Sequence, residues 1–153
     1  MKIGLISVFV AALVLGQVGA AEPSSLDVLR AKFPKGIPWS VEVSDTTGKS
    51  LGSLEMRITS ASASSCLGDI AADGVRVEFI RQESASLRLP VASYGVAKFT
   101  DNKVKIDLTG GMCDAYLIMD GTIKADGSST GEIYKFGMRG GTDVGTYRAT
   151  VSE

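Results

Sequence analysis

The chain contains no histidine. That absence removes the commonest general base near neutral pH. It also removes the Ser-His and Cys-His routes to an activated nucleophile and most transition-metal sites. Carboxylates remain for acid–base work, but no spacing sets a pair of them apart. Cysteine is almost as scarce, with Cys66 and Cys113 the only two. Two thiols without histidine cannot complete a structural zinc site, and they lack the C-x-x-C spacing of a dithiol motif. No metal and no cofactor is therefore expected, and the chain reads as non-enzymatic. Charge of one sign is missing as well: 16 basic residues face 17 acidic ones, and they are interspersed singly. Nucleic acid is excluded as a partner, because its binding needs a phosphate-neutralising stripe. A polybasic membrane patch is absent for the same reason. No apolar run reaches the roughly 20 residues that a membrane-spanning helix needs.

What is present begins at the N-terminus. Met1–Ala21 has one charge at Lys2, an apolar run from Ile3 to Leu15, and the small-residue end Val18-Gly19-Ala20-Ala21. This is the pattern of a secretory signal peptide, cleaved after Ala20 or Ala21; a retained N-terminal anchor is the alternative. No cysteine follows the run to take a lipid. The expected location is periplasmic or secreted, with a mature chain that does not span the membrane. Lys2 leaves with the signal, so 15 basic residues remain against 17 acidic ones. The remaining chain is one domain with enough residues for a single core. In an oxidising compartment Cys66 and Cys113 are expected to form one disulfide. It closes a loop of roughly 47 residues, worth on the order of 4 kcal/mol in the chain-entropy model.

Residues 22–35 form either a loose arm or a short helix over Ser24–Phe33. The helix would be capped by Ser24 or Ser25, with Leu26, Leu29 and Phe33 on one face and Pro34 and Gly36 ending it. Residues 36–153 read as all-β. Trp39, Val41 and Val43 alternate with polar residues, then Leu54, Met56 and Ile58, then Val75, Val77 and Phe79. Further segments follow at Tyr94–Thr100, Val104–Leu108, Ala115–Ile123, Glu132–Met138 and Gly145–Val151. Period-two alternation between Gly, Asp and Asn turns is the mark of half-buried antiparallel strands. The expected fold is an antiparallel meander of eight to nine strands, forming a small barrel or a sandwich. The alternate face carries Glu42, Glu55, Arg57, Arg76, Glu78, Lys105 and Asp107, which rules out a lipid-facing barrel.

The disulfide tests the strand count. Successive turns of a meander alternate between its two ends, so eight strands put Cys66 and Cys113 at opposite ends. A disulfide needs Cα atoms within roughly 7 Å. Either Ser86–Val91, an alternating run with Pro90 in it, is a ninth strand, or one connection folds back.

Gly48-Lys49-Ser50-Leu51-Gly52 matches G-x-S-x-G, but it lies in a hairpin turn and has no histidine partner. Asp120–Glu132 fails the Ca²⁺-loop pattern at Thr122 and Lys124. Ala115–Ile123 is apolar on both faces, with Leu117 and Met119 on one and Tyr116 and Ile118 on the other. Such a strand is either covered by other chain, the N-terminal helix or Ser84–Ser93, or offers a contact face. Arg139 and Asp143, in an expected loop Met138–Val144, would extend that face. Tyr116, Ile118, Arg139 and Asp143 are thus the candidate partner-binding residues.

Gly36-Ile37-Pro38-Trp39 opens the β region and Arg148 lies in the last strand. This resembles the lipocalin-type (calycin) barrels, where an early tryptophan packs against an arginine from the final strand. The family spacing is G-x-W and here it is G-x-x-W. The resemblance implies barrel architecture and a cavity; it carries over no ligand-contacting residue. Two functions are expected from these readings. The first is non-catalytic binding of another protein, for example inhibition of a secreted enzyme. The alternative is a carrier of a small apolar ligand inside the barrel, unless Trp39, Phe79, Phe99 and Tyr147 fill it.

Overall fold

The computed structural model describes residues 25–70, 73–83 and 93–152. The segment read as a signal, Met1–Ala21, lies outside the described residues, as does the run Ser86–Val91. A helix α1 (Ser25–Lys32) precedes eight strands: β1 (Ile37–Asp45), β2 (Ser50–Ala63), β3 (Gly74–Glu83), β4 (Gly95–Thr100), β5 (Lys103–Asp107), β6 (Ala115–Ile123), β7 (Ser129–Gly137) and β8 (Gly140–Val151). Each strand pairs antiparallel with the next, and β8 pairs with β1, so the meander closes into a barrel. Closure leaves no unpaired edge.

Alternation decides which side chains enter. Trp39, Val41 and Val43 from β1, Leu54, Met56 and Ile58 from β2, Val104 and Ile106 from β5, Leu117 and Met119 from β6, and Tyr147 and Ala149 from β8 form one buried cluster. Phe79 and Phe99 pack against it. The residues expected to occupy the interior are therefore in it. Arg148 is on the opposite face, exposed and in register with Glu42, so it does not pack on Trp39. The architecture is that of a small closed barrel; the tryptophan–arginine contact is not made.

The N-terminal segment is a helix rather than a loose arm. Leu29 is buried in the core cluster, and a Cβ on Gly127, in the β6–β7 turn, would meet the Leu29 methyls and Val151. The helix therefore closes the end of the barrel where β1 begins and β8 finishes. Gly36, at φ +106°, returns its N–H to the Phe33 carbonyl and turns the chain into β1.

The cysteine paradox is resolved by a connection that folds back. Cys66 and Cys113 are bonded, with Cα atoms 5.1 Å apart, in a barrel of eight strands. Arg76, Val96 and Asp107 share one row across β3, β4 and β5, two residues from the start of β3. β4 and β5 are only six and five residues long, roughly 20 Å or less from end to end. The connection leaving β2 bends over the outside of these short strands instead of around their end. The ladder between β2 and β3 is irregular between Ile58 and Ser62, the local kink that redirects it.

The expected loop Met138–Val144 is a second correction. Only Met138 and Arg139 form a turn, and β8 already starts at Gly140. Asp143 pairs with Tyr134, and the extra residue Val144 is absorbed as an irregularity before Gly145 pairs with Ile133. The glycines of this stretch let β7 and β8 extend further than hydrophobic alternation indicates.

Candidate interaction surface on the outer wall

The surface is built on one row of outward-facing residues. Strand register aligns Val96 of β4, Asp107 of β5, Ile118 of β6, Tyr134 of β7 and Asp143 of β8. On the outside of a barrel these positions should meet water, yet Val96, Asp107 and Ile118 are fully buried. Their cover is the strap, residues 64–70 of the β2–β3 connection. Of the two covers anticipated from sequence, α1 lies at the end of the barrel instead, and the segment Ser84–Ser93 lies, except for Ser93, outside the described residues.

Among the described residues, three contacts besides the disulfide seat the strap. Ser65 Oγ donates to Asp107 Oδ2 and accepts from the Leu67 N–H. Asp107 Oδ1 accepts from the Thr109 N–H and hydroxyl at 2.9 and 2.6 Å. The buried carboxylate is thus satisfied by donors rather than by a cation, which is what burial demands of it. Ile70 is fully buried beside Gly74, where a Cβ would strike Val96 and come close to the Ile70 carbonyl. Asp69 Oδ2 pairs with Lys105 Nζ at 2.7 Å.

The strap stops short of covering the whole wall. Between it and β7 runs an open groove of about 440 Å³, lined by Leu67, Gly68, Asp69, Lys105, Ile118, Tyr134 and Phe136. Its floor and far wall are apolar. Phe136 keeps 45% of its surface exposed, and its ring lies 6.3 Å from that of Tyr116 across the β6–β7 pair. The Tyr116 hydroxyl is held by the Cys113 carbonyl at 2.8 Å. Met112 and Met138 are also exposed at this end of the barrel.

Charge sits at the other margin. Lys98, Lys105, Asp120 and Glu132 occupy the next row, strand by strand. Lys105 bonds Asp69 and lies 3.4 Å from Asp120. The hydrogen bond to Asp69 holds its ammonium above the ordinary lysine value, against the cost of partial burial. Desolvation raises the Tyr134 phenol, and the nearby Lys105 charge opposes that rise. A second recess of about 340 Å³ adjoins this row, between Asp69, Lys98, Lys103 and Asp120.

Of the residues expected from sequence, Tyr116 and Ile118 belong to this wall. Ile118 is its buried floor rather than an exposed contact, and Tyr116 is half-buried at its margin. Asp143 lies on the same row one strand beyond Tyr134, and Arg139 caps the β7–β8 turn; both are exposed. Neither lines the groove. Sequence reasoning missed Leu67, Asp69, Lys105, Tyr134 and Phe136. For β7 the signal was available, since Tyr134 and Phe136 share a face with Glu132 while Ile133 takes the other. For the strap the only hint was Leu67 and Ile70 in an otherwise small and polar connection.

Ser50, of the G-x-S-x-G match, opens β2 and is exposed to solvent. Asp126 accepts from the Ser128 N–H and hydroxyl at 2.9 and 2.7 Å, closing the β6–β7 turn. No helix among the described residues is long and apolar enough to cross a membrane. The fold and this surface together define a small closed antiparallel barrel with a disulfide-anchored strap on its outer wall. Comparison with protein-family models, with curated proteins and with solved structures yields no match.

Proposed function

We propose that this chain is a non-catalytic exported binding protein that engages another protein through the groove beside the strap. One observation carries the reading. An open, largely apolar groove with a half-exposed phenylalanine lies on the outside of a barrel whose inward side chains already pack on one another. Aromatic anchors in a partly desolvated recess with a charged rim are what protein interfaces concentrate. Lys105, Asp69 and Asp120 supply such a rim. The missing histidine supports a role without acid–base chemistry, and the charged outer residues Glu42, Glu55 and Glu78 support a barrel that faces water. Inhibition of a secreted enzyme is one form this binding takes.

The test is capture from an extracytosolic extract of the source cells, followed by reconstitution with the purified partner. Phe136→Asp is expected to weaken the reconstituted complex by about thirtyfold, the ~2 kcal/mol of an interface hot spot. Equal affinity for both forms would remove the groove from the interface.

The carrier reading has one observation in its favour. The Trp39 indole N–H is fully buried and has no hydrogen-bond partner among the described residues. A small apolar ligand with one acceptor atom would satisfy it. Native mass spectrometry of the purified protein separates the readings: a co-purified small molecule, displaced without loss of partner binding, assigns the interior to a carrier role.

A further inference from the structure

We propose that the Cys66–Cys113 disulfide is a redox-operated latch that sets the width of the groove. The proposal rests on the groove being the binding surface, and its physical core is independent of any partner. The disulfide joins no two strands. It ties the start of the strap to the β5–β6 connection, while all eight strand pairings of the barrel are made without it. Both cysteines are solvent-exposed, so a reductant reaches the bond without opening the core, and access is one of the factors that govern thiol–disulfide exchange. The strap it secures supplies one wall of the groove through Leu67, Gly68 and Asp69 and covers Ile118. Beyond the bond, residues 65–69 are held to the barrel, among the described residues, by one hydrogen bond to Asp107 and one half-exposed ion pair to Lys105. Ile70, buried against the wall, is the hinge.

The reductant is a protein dithiol of the Cys-x-x-Cys class. Its thiolate attacks one sulfur of the bridge, the Cys66–Cys113 bond breaks, and the departing sulfur takes up a proton. The donor's second thiol gives up its proton and displaces the mixed disulfide. This chain ends with two thiols and the donor with one disulfide. Residues 64–69 then lift about Ile70, and the groove floor at Ile118, buried in the closed form, becomes exposed to solvent.

The test needs no partner. Amide hydrogen exchange is compared between the oxidised protein and the same protein reduced by a dithiol and alkylated, with Cys66→Ser/Cys113→Ser as a second route to the open form. Exchange at 64–69 is expected to rise about tenfold or more, while core amides such as those of Ile106 and Met119 stay at least about a hundredfold slower than 64–69, a local opening distinct from any loss of global stability. Fluorescence of an apolar-surface dye is expected to rise in parallel, and to rise less with Ile118→Ser. Unchanged exchange at 64–69 in both open forms overturns the latch, because the remaining contacts would then hold the strap alone. Exchange of 64–69 and of the core amides at one common rate also overturns it, because the strap would then open only with the whole barrel. Loss of the Phe136→Asp effect on partner binding bears on the groove reading and leaves these outcomes untouched.

Discussion

At the scale of single residues, the barrel depends on places where a side chain is absent as much as on those where one is present. Gly121 and Gly131 face each other across β6 and β7. A Cβ on Gly121 would stand on the Tyr147 hydroxyl and the Thr130 carbonyl. The glycine makes room for the tyrosine, whose hydroxyl bonds Ser129 Oγ at 2.9 Å inside the barrel. Gly121→Ala is expected to cost about 1–3 kcal/mol by overpacking, read as a lower urea midpoint with unchanged slope. Tyr147 also ties stability to pH. Burial raises its phenol above the ordinary 10.0, partly offset by the Ser129 hydrogen bond. The folded state therefore holds this proton more tightly than the unfolded chain does. The stabilisation is complete below the ordinary tyrosine value and is lost as pH rises through the folded one. Spectrophotometric titration is expected to show late-ionising phenols, with Tyr134 contributing in the same direction. Tyr147→Phe is expected to flatten the alkaline loss of stability, at a cost near neutrality of about 1 kcal/mol for the hydrogen bond.

At the scale of elements, the strap and the helix do what strands cannot. The helix closes one end through Leu29. The strap converts three outward positions into a second, smaller buried layer outside the barrel, to which its own Ile70 adds a fully buried side chain. Ile70→Ala is expected to lower stability by about 2–4 kcal/mol, the range for a buried isoleucine. It is also expected to speed amide exchange across 64–70 with the barrel strands still protected. The strands themselves were legible from alternation: Ala115–Ile123 matches β6 end to end, and the other seven differ only in their limits. β2 and β8 run longer than their hydrophobic alternation, because strand pairing continues through polar and glycine positions once a neighbour is in place. The strap was not legible. A short connection with two apolar residues has no period, and nothing local says which outer face it will cover.

At the scale of the whole molecule, closure and a single covalent tie set stability. The 47-residue separation of the cysteines makes the disulfide worth on the order of 4 kcal/mol by restricting the unfolded chain. Replacing both with alanine is expected to lower unfolding free energy by about that amount or less, while circular dichroism keeps its strand signature. The barrel survives such a loss because its interior is one continuous cluster drawn from all eight strands. The same packed interior favours the proposed binding surface on the outside, where the groove beside Phe136 is an apolar recess in the outer wall; Ile80, Met112 and Met138 are single exposed apolar side chains elsewhere on it.

Local chemistry along the chain was enough to determine the all-β class, the inward set from Trp39 to Ala149, the pairing of the only two cysteines and the exclusion of histidine-based catalysis. Each follows from residue type and a period of two, which survive translation into any register. Tertiary structure alone decided that eight strands suffice, that the β2–β3 connection folds back over short strands, and that Ile118 is a floor while Phe136 is a wall. Those facts depend on which outward rows come into register across four or five strands, a long-range property of a sheared, closed sheet that no single segment encodes.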